Sequence, residues 1–472
     1  MNRAKDLIGV REFYTVLVEW NIEHINMKMI KFLCLLLTTI VFIGCQKPKS
    51  TIEKNDQELA SYFDNLTFNK DFSGVVLIGN KEKVLSFYSG GLSDFELDKE
   101  HSIQSKFSIA SNTKAFTAGA ILKLKSEGKI QLSDKVGKYL PSFTYGDSIT
   151  ILHCLRHESG LSNIDHEKLG STILSTDKLL SEIGKNPLLF EPGTNGSYSN
   201  AGFNVLAAVV EKVSGQKFGD YLDQHFFQPL GMNSSGEFNF GDAPMNLSKS
   251  YFPDAPPNLL RELPTFNYSQ SLGSGSMYST AEDLWKWGVA VSERKFNFDF
   301  FEEDYPYGWG RDTIAGAFSL NQTGLNNGYV SSLFIFPDKD IVIVLLSNIE
   351  NELWSSWSKD IAKIHFKDSS NVFHPSKRHL FEDAANQEKF SEFEGTYVRD
   401  ANRFIVIKKS ANGHLYLHLD GNKHGHYLMP VGENTFDLRS FSGTISFKGN
   451  DSLNWAAPQR WGGGVESYSK EE

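Results

Sequence analysis

Residues Phe107 to Gly128 read FSIASNTKAFTAGAILKLKSEG, and the rest of the chain is organised around them. Phe116, Ala120, Ile121 and Leu124 recur at helical spacing, which predicts a helix with one buried face. Gly128 supplies its C-terminal stop. Ser111 stands at the mouth of this helix. Lys114 follows three residues later, one turn along on the same face. A serine hydroxyl is a poor nucleophile at neutral pH and needs a neighbouring base or field. A lysine whose pKa is lowered by burial can be that base. Backbone N–H groups at a helix N-terminus suit a developing negative charge. The same four residues would also describe an N-cap serine followed by a solvent-facing lysine, so S-x-x-K needs company to carry meaning.

Its company is Tyr198-Ser199-Asn200, in a loop before a second amphipathic stretch. In an extended segment, residues two apart point to the same side, so Tyr198 and Asn200 share one cleft. A tyrosine hydroxyl near a lysine can shuttle a proton. An asparagine amide can both donate to and accept from a substrate amide or ester. A buried tyrosine and an N-cap asparagine are the alternative reading of the same letters.

The chain has 472 residues, which suits one large domain and one small one. A net charge of −10 argues against nucleic acid as a partner. No Walker loop, dinucleotide fingerprint or H-E-x-x-H motif occurs, so neither cofactor nor metal is expected. His414, His418, His424 and His426 read as a polar strand face. Cys34 and Cys45 fall in or beside an apolar run, Phe32 to Gly44, that follows Lys28 and Lys31; Cys154 stands alone in a predicted helix. The run is too short to span a bilayer but fits a signal segment. Its end, Phe42-Ile43-Gly44-Cys45, resembles a bacterial lipobox with phenylalanine where leucine is usual. Cys45 would then be the lipidated N-terminus of the mature protein, although a cleaved signal with an incidental cysteine reads the same way. Residues 1–26 precede a more natural start at Met27 or Met29, and residues 46–56 form a tether.

Further along, Gly74 to Gly79 and Val84 to Tyr88 are strand-like about the turn Asn80 to Lys83. Ile149 to Leu155, residues 166–190, Phe203 to Val213, Thr280 to Val291 and Trp354 to Phe366 read as helices, and residues 233–270 as long surface loops. Val330 to Phe336 and Ile341 to Leu346 form a late apolar hairpin. An early and a late hairpin predict one antiparallel sheet closed by both ends of the domain. Residues 367–390 read as a linker. Beyond them Phe404 to Ile407, Leu415 to Leu419, Phe436 to Leu438 and Ile445 to Phe447 are short strands between turns.

Together the motifs resemble the penicillin-recognising serine hydrolases, most closely class C β-lactamases with their esterase and D-Ala-D-Ala peptidase relatives. Ile149 to Leu161, Glu191 to Asn200, Gln228 to Met232, Gly273 to Asp283 and Gly328 to Asn348 resemble that family's landmarks. The resemblance implies an α/β fold with a five-stranded antiparallel sheet flanked by helices and a helical lobe over residues 57–366. It also implies a barrel-like β domain over 391–472. Ser111 would be the acylated nucleophile, Lys114 its basic partner, Tyr198 the general base and acid, and Asn200 a substrate-orienting amide. The family's third motif falls on Gln322-Thr323-Gly324, read as substrate-binding, with the N–H groups of Leu325 and Ser111 as the oxyanion hole. Gln322 departs from the usual cation, which puts recognition of a substrate carboxylate in doubt; Arg311 is one cation that could replace it. The expectation is an envelope serine hydrolase, membrane-bound through its lipid, that cleaves an ester or amide through an acyl-enzyme. The alternative is a catalytically weak protein holding peptidoglycan fragments or a partner in the same cleft, a reading that Gln322 favours.

Overall fold

The structure, a computed structural model, describes residues 57–471 apart from 239–242, 256–259, 297, 299, 302–306, 352–353, 371, 373–388, 401–402, 420–424, 439–442 and 457–463. The signal and lipobox segment with Cys34 and Cys45, the tether, most of the linker and His424 therefore lie outside the described residues.

The first domain is built on an antiparallel sheet. Its strands are β1 (Gly74–Gly79), β2 (Val84–Gly90), β6 (Gly310–Ile314), β7 (Ala317–Asn326), β8 (Tyr329–Phe336) and β9 (Ile341–Ser347), in the spatial order β6-β7-β8-β9-β1-β2. Pairing of β1 with β9, Gly74 opposite Ser347, joins the two ends of the domain. The sheet has six strands where the family resemblance implied five. The extra one, β6, is a short edge strand of sequence GRDTI, too polar and too brief to announce itself. Every residue of β1, β8 and β9 is buried, so these strands read as near-continuous apolar runs rather than alternations, interrupted by Ser331 and Ser332 in β8 and ended by Ser347 in β9. The period of two still sorts their side chains. Val75 and Leu77 enter the core beneath α2 (Thr113–Ser126), α3 (Asn200–Ser214) and α4 (Ala281–Ser292). Val76 and Ile78 pack on the other face with Phe63 of α1 (Gln57–Phe68) and Trp357 of α5 (Trp354–His365).

Three further expectations are corrected. Helix α2 is buried on nearly every side from Thr113 to Leu122, not on one face, because its alanine, glycine and threonine positions admit close neighbours. Residues 166–190 hold two short helices, His166–Leu169 and Thr176–Lys185, because Gly170 breaks the run at φ +52°. The 233–270 region contains paired strands, among them β4 (Gly236–Glu237) and the hairpin Tyr251–Pro253 with Leu260–Glu262. Strand β4 and β3 (Phe107–Ser108) flank β5 (Met277–Ser279) in a small sheet that leads into the Ser111 turn.

The C-terminal strands β10 (Gly395–Asp400), β11 (Arg403–Lys409), β12 (Leu415–Leu419), β13 (His426–Gly432), β14 (Thr435–Leu438), β15 (Thr444–Lys448), β16 (Ser452–Ala456) and β17 (Val465–Lys470) close into an eight-stranded barrel. Ile405, Ile407, Leu417, Phe436, Phe447 and Trp455 fill it. It meets the first domain through the Tyr416 hydroxyl, which donates to Asp254 Oδ1 at 2.9 Å, and through Ala255 packed with Tyr427 and Met429. No helix among the described residues is long and apolar enough to cross a membrane.

Candidate active site

Ser111 sits in a single 3-10 turn, Ala110–Asn112, that runs directly into α2. The turn is strained. Ala110 adopts φ +46°, which a residue with a Cβ rarely takes. Two carbonyls of this stretch are tied to the sheet. The Ile109 carbonyl accepts from Ser331 Oγ at 2.6 Å, and that of Ser111 from Gln322 Nε2 at 2.9 Å. Gly324 of β7 lies hard against the turn, where a Cβ would fall 2.5 Å from the Ile109 carbonyl oxygen and 2.8 Å from Ser111 N. Clamping between strand and turn is what holds the strained conformation.

Lys114 has no exposed surface. Its Nζ lies 3.0 Å from Ser111 Oγ, 2.8 Å from Asn200 Oδ1 and 2.7 Å from the Ser274 carbonyl oxygen. Burial holds its ammonium well below the usual lysine range. Two of the three partners can only accept, so a neutral Lys114 spends both its N–H groups on Asn200 and Ser274. Its lone pair is then left facing Ser111 Oγ, the one partner with a proton to give.

Tyr198 and Asn200 arrive from one loop. Ser199 is extended, at φ −133° and ψ 112°, and caps α3: its Oγ accepts from Gly202 N–H and donates to the Leu161 carbonyl. The cap is therefore Ser199 rather than the alternative of an asparagine cap. The extended step sends the side chains of Tyr198 and Asn200 to the same cleft. The Tyr198 hydroxyl shares a 2.7 Å hydrogen bond with Ser111 Oγ, while 55% of the residue is exposed to solvent. Asn163 Oδ1 accepts from the Asn200 and Ala201 N–H groups, fixing the start of the helix.

His157 backs Tyr198, with ring centroids 4.7 Å apart, and its Nδ1 accepts from Ser199 N–H. Burial first, and Lys114 second, pull its pKa down to about 4, so the ring is neutral at physiological pH. His157 follows the helix read over Ile149 to Leu155, at φ +59°, and reaches Tyr198 only through the fold.

The third motif lies on β7. Strand β6 pairs only as far as Asn321, so Gln322 onward borders the Ser111 turn. Gln322 turns its amide into the turn, bonding the Ser111 carbonyl. Thr323 stands opposite Ser332, and Leu325 opposite Val330. Arg311 lies opposite Leu320 on β6 and donates to the Phe301 carbonyl. Sequence reasoning missed Ser274, Asn163, Ser331 and His157, which reach the site only through the fold. A cleft of about 530 Å³ near Phe266, Tyr268 and Tyr329 is lined by none of the sequence-predicted site residues. No cluster of three or more His, Cys, Asp or Glu side chains able to hold a metal occurs among the described residues.

Residues 59–364 match the family model described as Beta-lactamase. The chain belongs to the beta-lactamase family. Its fold is that of a family of serine hydrolases. Among similar proteins of Bacillus subtilis (strain 168), the putative penicillin-binding protein PbpX is 27% identical over 312 residues, covering 64% of this chain and 75% of the relative. Penicillin-binding protein 4* is 26% identical over 431 residues, covering 83% and 93%. The octameric penicillin-binding protein homologue from Pyrococcus abyssi shares the fold with a TM-score of 0.59 at 20% identity, over 89% of this chain and all of that one. The D-amino acid amidase from Ochrobactrum anthropi SV3 complexed with D-phenylalanine shares it with a TM-score of 0.60 at 17% identity, over 67% and 98%.

Proposed function

We propose that this beta-lactamase-family protein cleaves esters or amides through an acyl-enzyme on Ser111. The observation that carries the reading is Lys114: a fully buried amine, pushed toward neutrality, within 3.0 Å of a hydroxyl that Tyr198 also reaches at 2.7 Å. Ser111 Oγ attacks the substrate carbonyl carbon, and its proton passes to the Lys114–Tyr198 pair. The two states of that pair, neutral amine with phenol and ammonium with phenolate, differ only by proton moves through Ser111 Oγ, so the pair titrates as a unit. The carbonyl oxygen takes the negative charge against the N–H groups of Ser111 and Leu325. The C–N or C–O bond breaks as Tyr198 returns the proton to the leaving group, and water repeats the sequence. Asn200 orients the substrate amide or ester. The names of similar proteins, penicillin-binding proteins and a D-amino acid amidase, support D-amino-acid amides as candidates beside simple esters. A non-catalytic cleft drew its support from Gln322, whose amide is engaged by the Ser111 carbonyl. The test is labelling with a fluorophosphonate and with a fluorescent penicillin, read by peptide mass spectrometry. The adduct is expected on Ser111 and lost in Ser111→Ala; persistence of the label in that variant ends the assignment.

Gln322 supplies donors and an acceptor but no charge, so it suits a neutral substrate better than an anionic one. For a matched pair, a free carboxylate and its methyl ester, we expect the wild type to prefer the ester. Gln322→Lys is expected to shift kcat/KM about tenfold toward the carboxylate, roughly 1.4 kcal/mol, with a smaller shift at high salt. An unchanged ratio would show that this position does not set substrate charge.

The lipobox-like end at Cys45 supports a lipid-anchored envelope protein, in which several acyl chains on one cysteine would hold the membrane stably. Metabolic labelling with an alkyne fatty acid is expected to mark the protein, and Cys45→Ala to abolish the mark. An unacylated mature chain refutes the anchor.

A further inference from the structure

The carbonyls that hold Lys114 and Thr117 of α2 and Asn204 of α3 come from one segment. Leu272 O accepts from Asn204 Nδ2 at 2.8 Å, Gly273 O from Thr117 Oγ1 at 2.6 Å and Ser274 O from Lys114 Nζ at 2.7 Å. Gly273, at φ +68°, presses against α3, where a Cβ would meet Ala207 Cβ at 2.4 Å. The segment is held from behind as well. Ser276 Oγ accepts from Gly273 N–H at 3.1 Å and donates to Glu237 Oε1 at 3.0 Å. Glu237 Oε2 accepts from Gly219 N–H at 3.0 Å. A chain of polar contacts thus runs from a cleft of about 470 Å³, lined by Glu237, through Ser276 to Gly273 N–H, one residue along the backbone from Ser274, whose carbonyl binds Lys114.

We propose that Glu237 is a positioning residue for the reaction, fixing through Ser276 the Gly273–Ser276 segment against which Lys114 is set. This rests on the reading of Ser111 and Lys114 above. The polarity of the chain gives it a direction. An ionised Glu237 accepts from both Ser276 Oγ–H and Gly219 N–H, leaving a lone pair of Ser276 Oγ for Gly273 N–H. A protonated Glu237 brings a hydrogen of its own. That hydrogen removes the charge that strengthens the bonds from Ser276 Oγ–H and Gly219 N–H, which become about half as strong, and the hold on the segment loosens.

The surroundings put this change near neutrality. Burial, with Glu211 of α3 and Asp220 of the helix Phe218–Leu222 adding repulsion, pushes the Glu237 carboxyl up to about 7. Asp223, Lys217 and Tyr278 line the same cleft. The brace is present above pH 7 and is lost as pH falls through it. The contribution to stability has the opposite sign. A carboxyl whose folded pKa is raised favours the folded state when protonated, so its contribution to stability grows as pH falls from about 7 toward 4.5.

The test uses the full chain and a neutral ester, p-nitrophenyl acetate, in wild type, Glu237→Gln and Ser276→Ala. From pH 8 to pH 6 the wild type is expected to lose roughly tenfold in kcat beyond any slope common to all three proteins, as expected one unit below a pKa near 7. KM should change little. Both variants should lose that extra slope, Ser276→Ala although it retains Glu237. Urea unfolding of wild type against Glu237→Gln reads the ionisation without turnover, and wild type should gain relative stability as pH falls through 7. If that gain appears while the rate profiles coincide, Glu237 titrates but does not position Lys114, and the proposal is overturned. It is equally overturned if the variants lower rate and stability by the same factor at every pH. A Ser111→Ala protein that still labels would overturn the hydrolase reading instead, whatever Glu237 does.

Discussion

Lys114→Met is expected to slow acylation of Ser111 by at least about 10²-fold, within the 10²–10⁴ range of a positioned proton-transfer group, with little change in thermal stability. Stability is spared because two effects oppose. The variant leaves Asn200 Oδ1 and the Ser274 carbonyl without their donor, at about 1–3 kcal/mol for each group left dry. It also removes an amine whose burial opposes its charge, and methionine refills the volume with apolar contacts. Lys114→Arg separates proton transfer from charge. A guanidinium keeps a cation but does not deprotonate in a protein, so it cannot take the Ser111 proton. If Lys114 acts as a base, arginine should be as slow as methionine. If only a positive charge were needed, arginine should recover much of the rate. The measurement is the rate of fluorophosphonate labelling, with melting temperature recorded for each variant. A labelling rate within threefold of wild type in the methionine variant removes Lys114 from the mechanism.

The difference between what sequence revealed and what it hid follows from range. Ser111 and Lys114 lie one helical turn apart, and Tyr198 and Asn200 one extended step apart, so local periodicity alone sets each pair on one side. The family resemblance then joined the two pairs. Ser274 lies 160 positions from Lys114 and contributes only a backbone carbonyl, which no residue type announces. Asn163 and Ser331 act through side chains common in any loop or strand. Gln322 was found by its match to the family's third motif, but its contact was not: in the fold its amide reaches the turn that carries the nucleophile. The early and late hairpins were legible because β1, β8 and β9 are mostly apolar, with serine only at 331, 332 and 347. In the barrel, β16 (SLNWA) places only Leu453 and Trp455 inward, too few residues for alternation to stand out. The helix α2 misled in the opposite direction. Its alanines, glycine and threonines look neutral on a periodic plot, yet all of them are buried.

Gly324→Ala is expected to lower kcat/KM by about 10²-fold or more while the protein remains folded. The new Cβ would stand 2.5 Å from the Ile109 carbonyl oxygen, 2.6 Å from Ser331 Oγ and 2.8 Å from Ser111 N. Two of those three atoms are backbone, so relief cannot come from a rotamer. Either β7 or the Ser111 turn must move. Strand β7 is held by seven consecutive pairs to β8, from Leu320 opposite Ile335 to Asn326 opposite Tyr329, whereas the turn is one 3-10 unit strained at Ala110. The turn therefore yields, and the bonds from Ser331 to Ile109 and from Gln322 to Ser111 stretch with it. Movement on the order of 1 Å at a nucleophile is enough for about a 10²-fold loss. The stability cost stays near the 1–3 kcal/mol typical of one methyl forced into packed space, because the sheet core beneath is untouched. Ser331→Ala in the same background should not restore the rate, since it clears only the one contact made by a side chain. Gly432→Ala in the barrel is the control, its nearest neighbour being Thr435 Cβ at an ordinary 3.6 Å. Full activity in Gly324→Ala, or rescue by Ser331→Ala, would show that the approach of β7 to Ser111 does not set the position of the nucleophile.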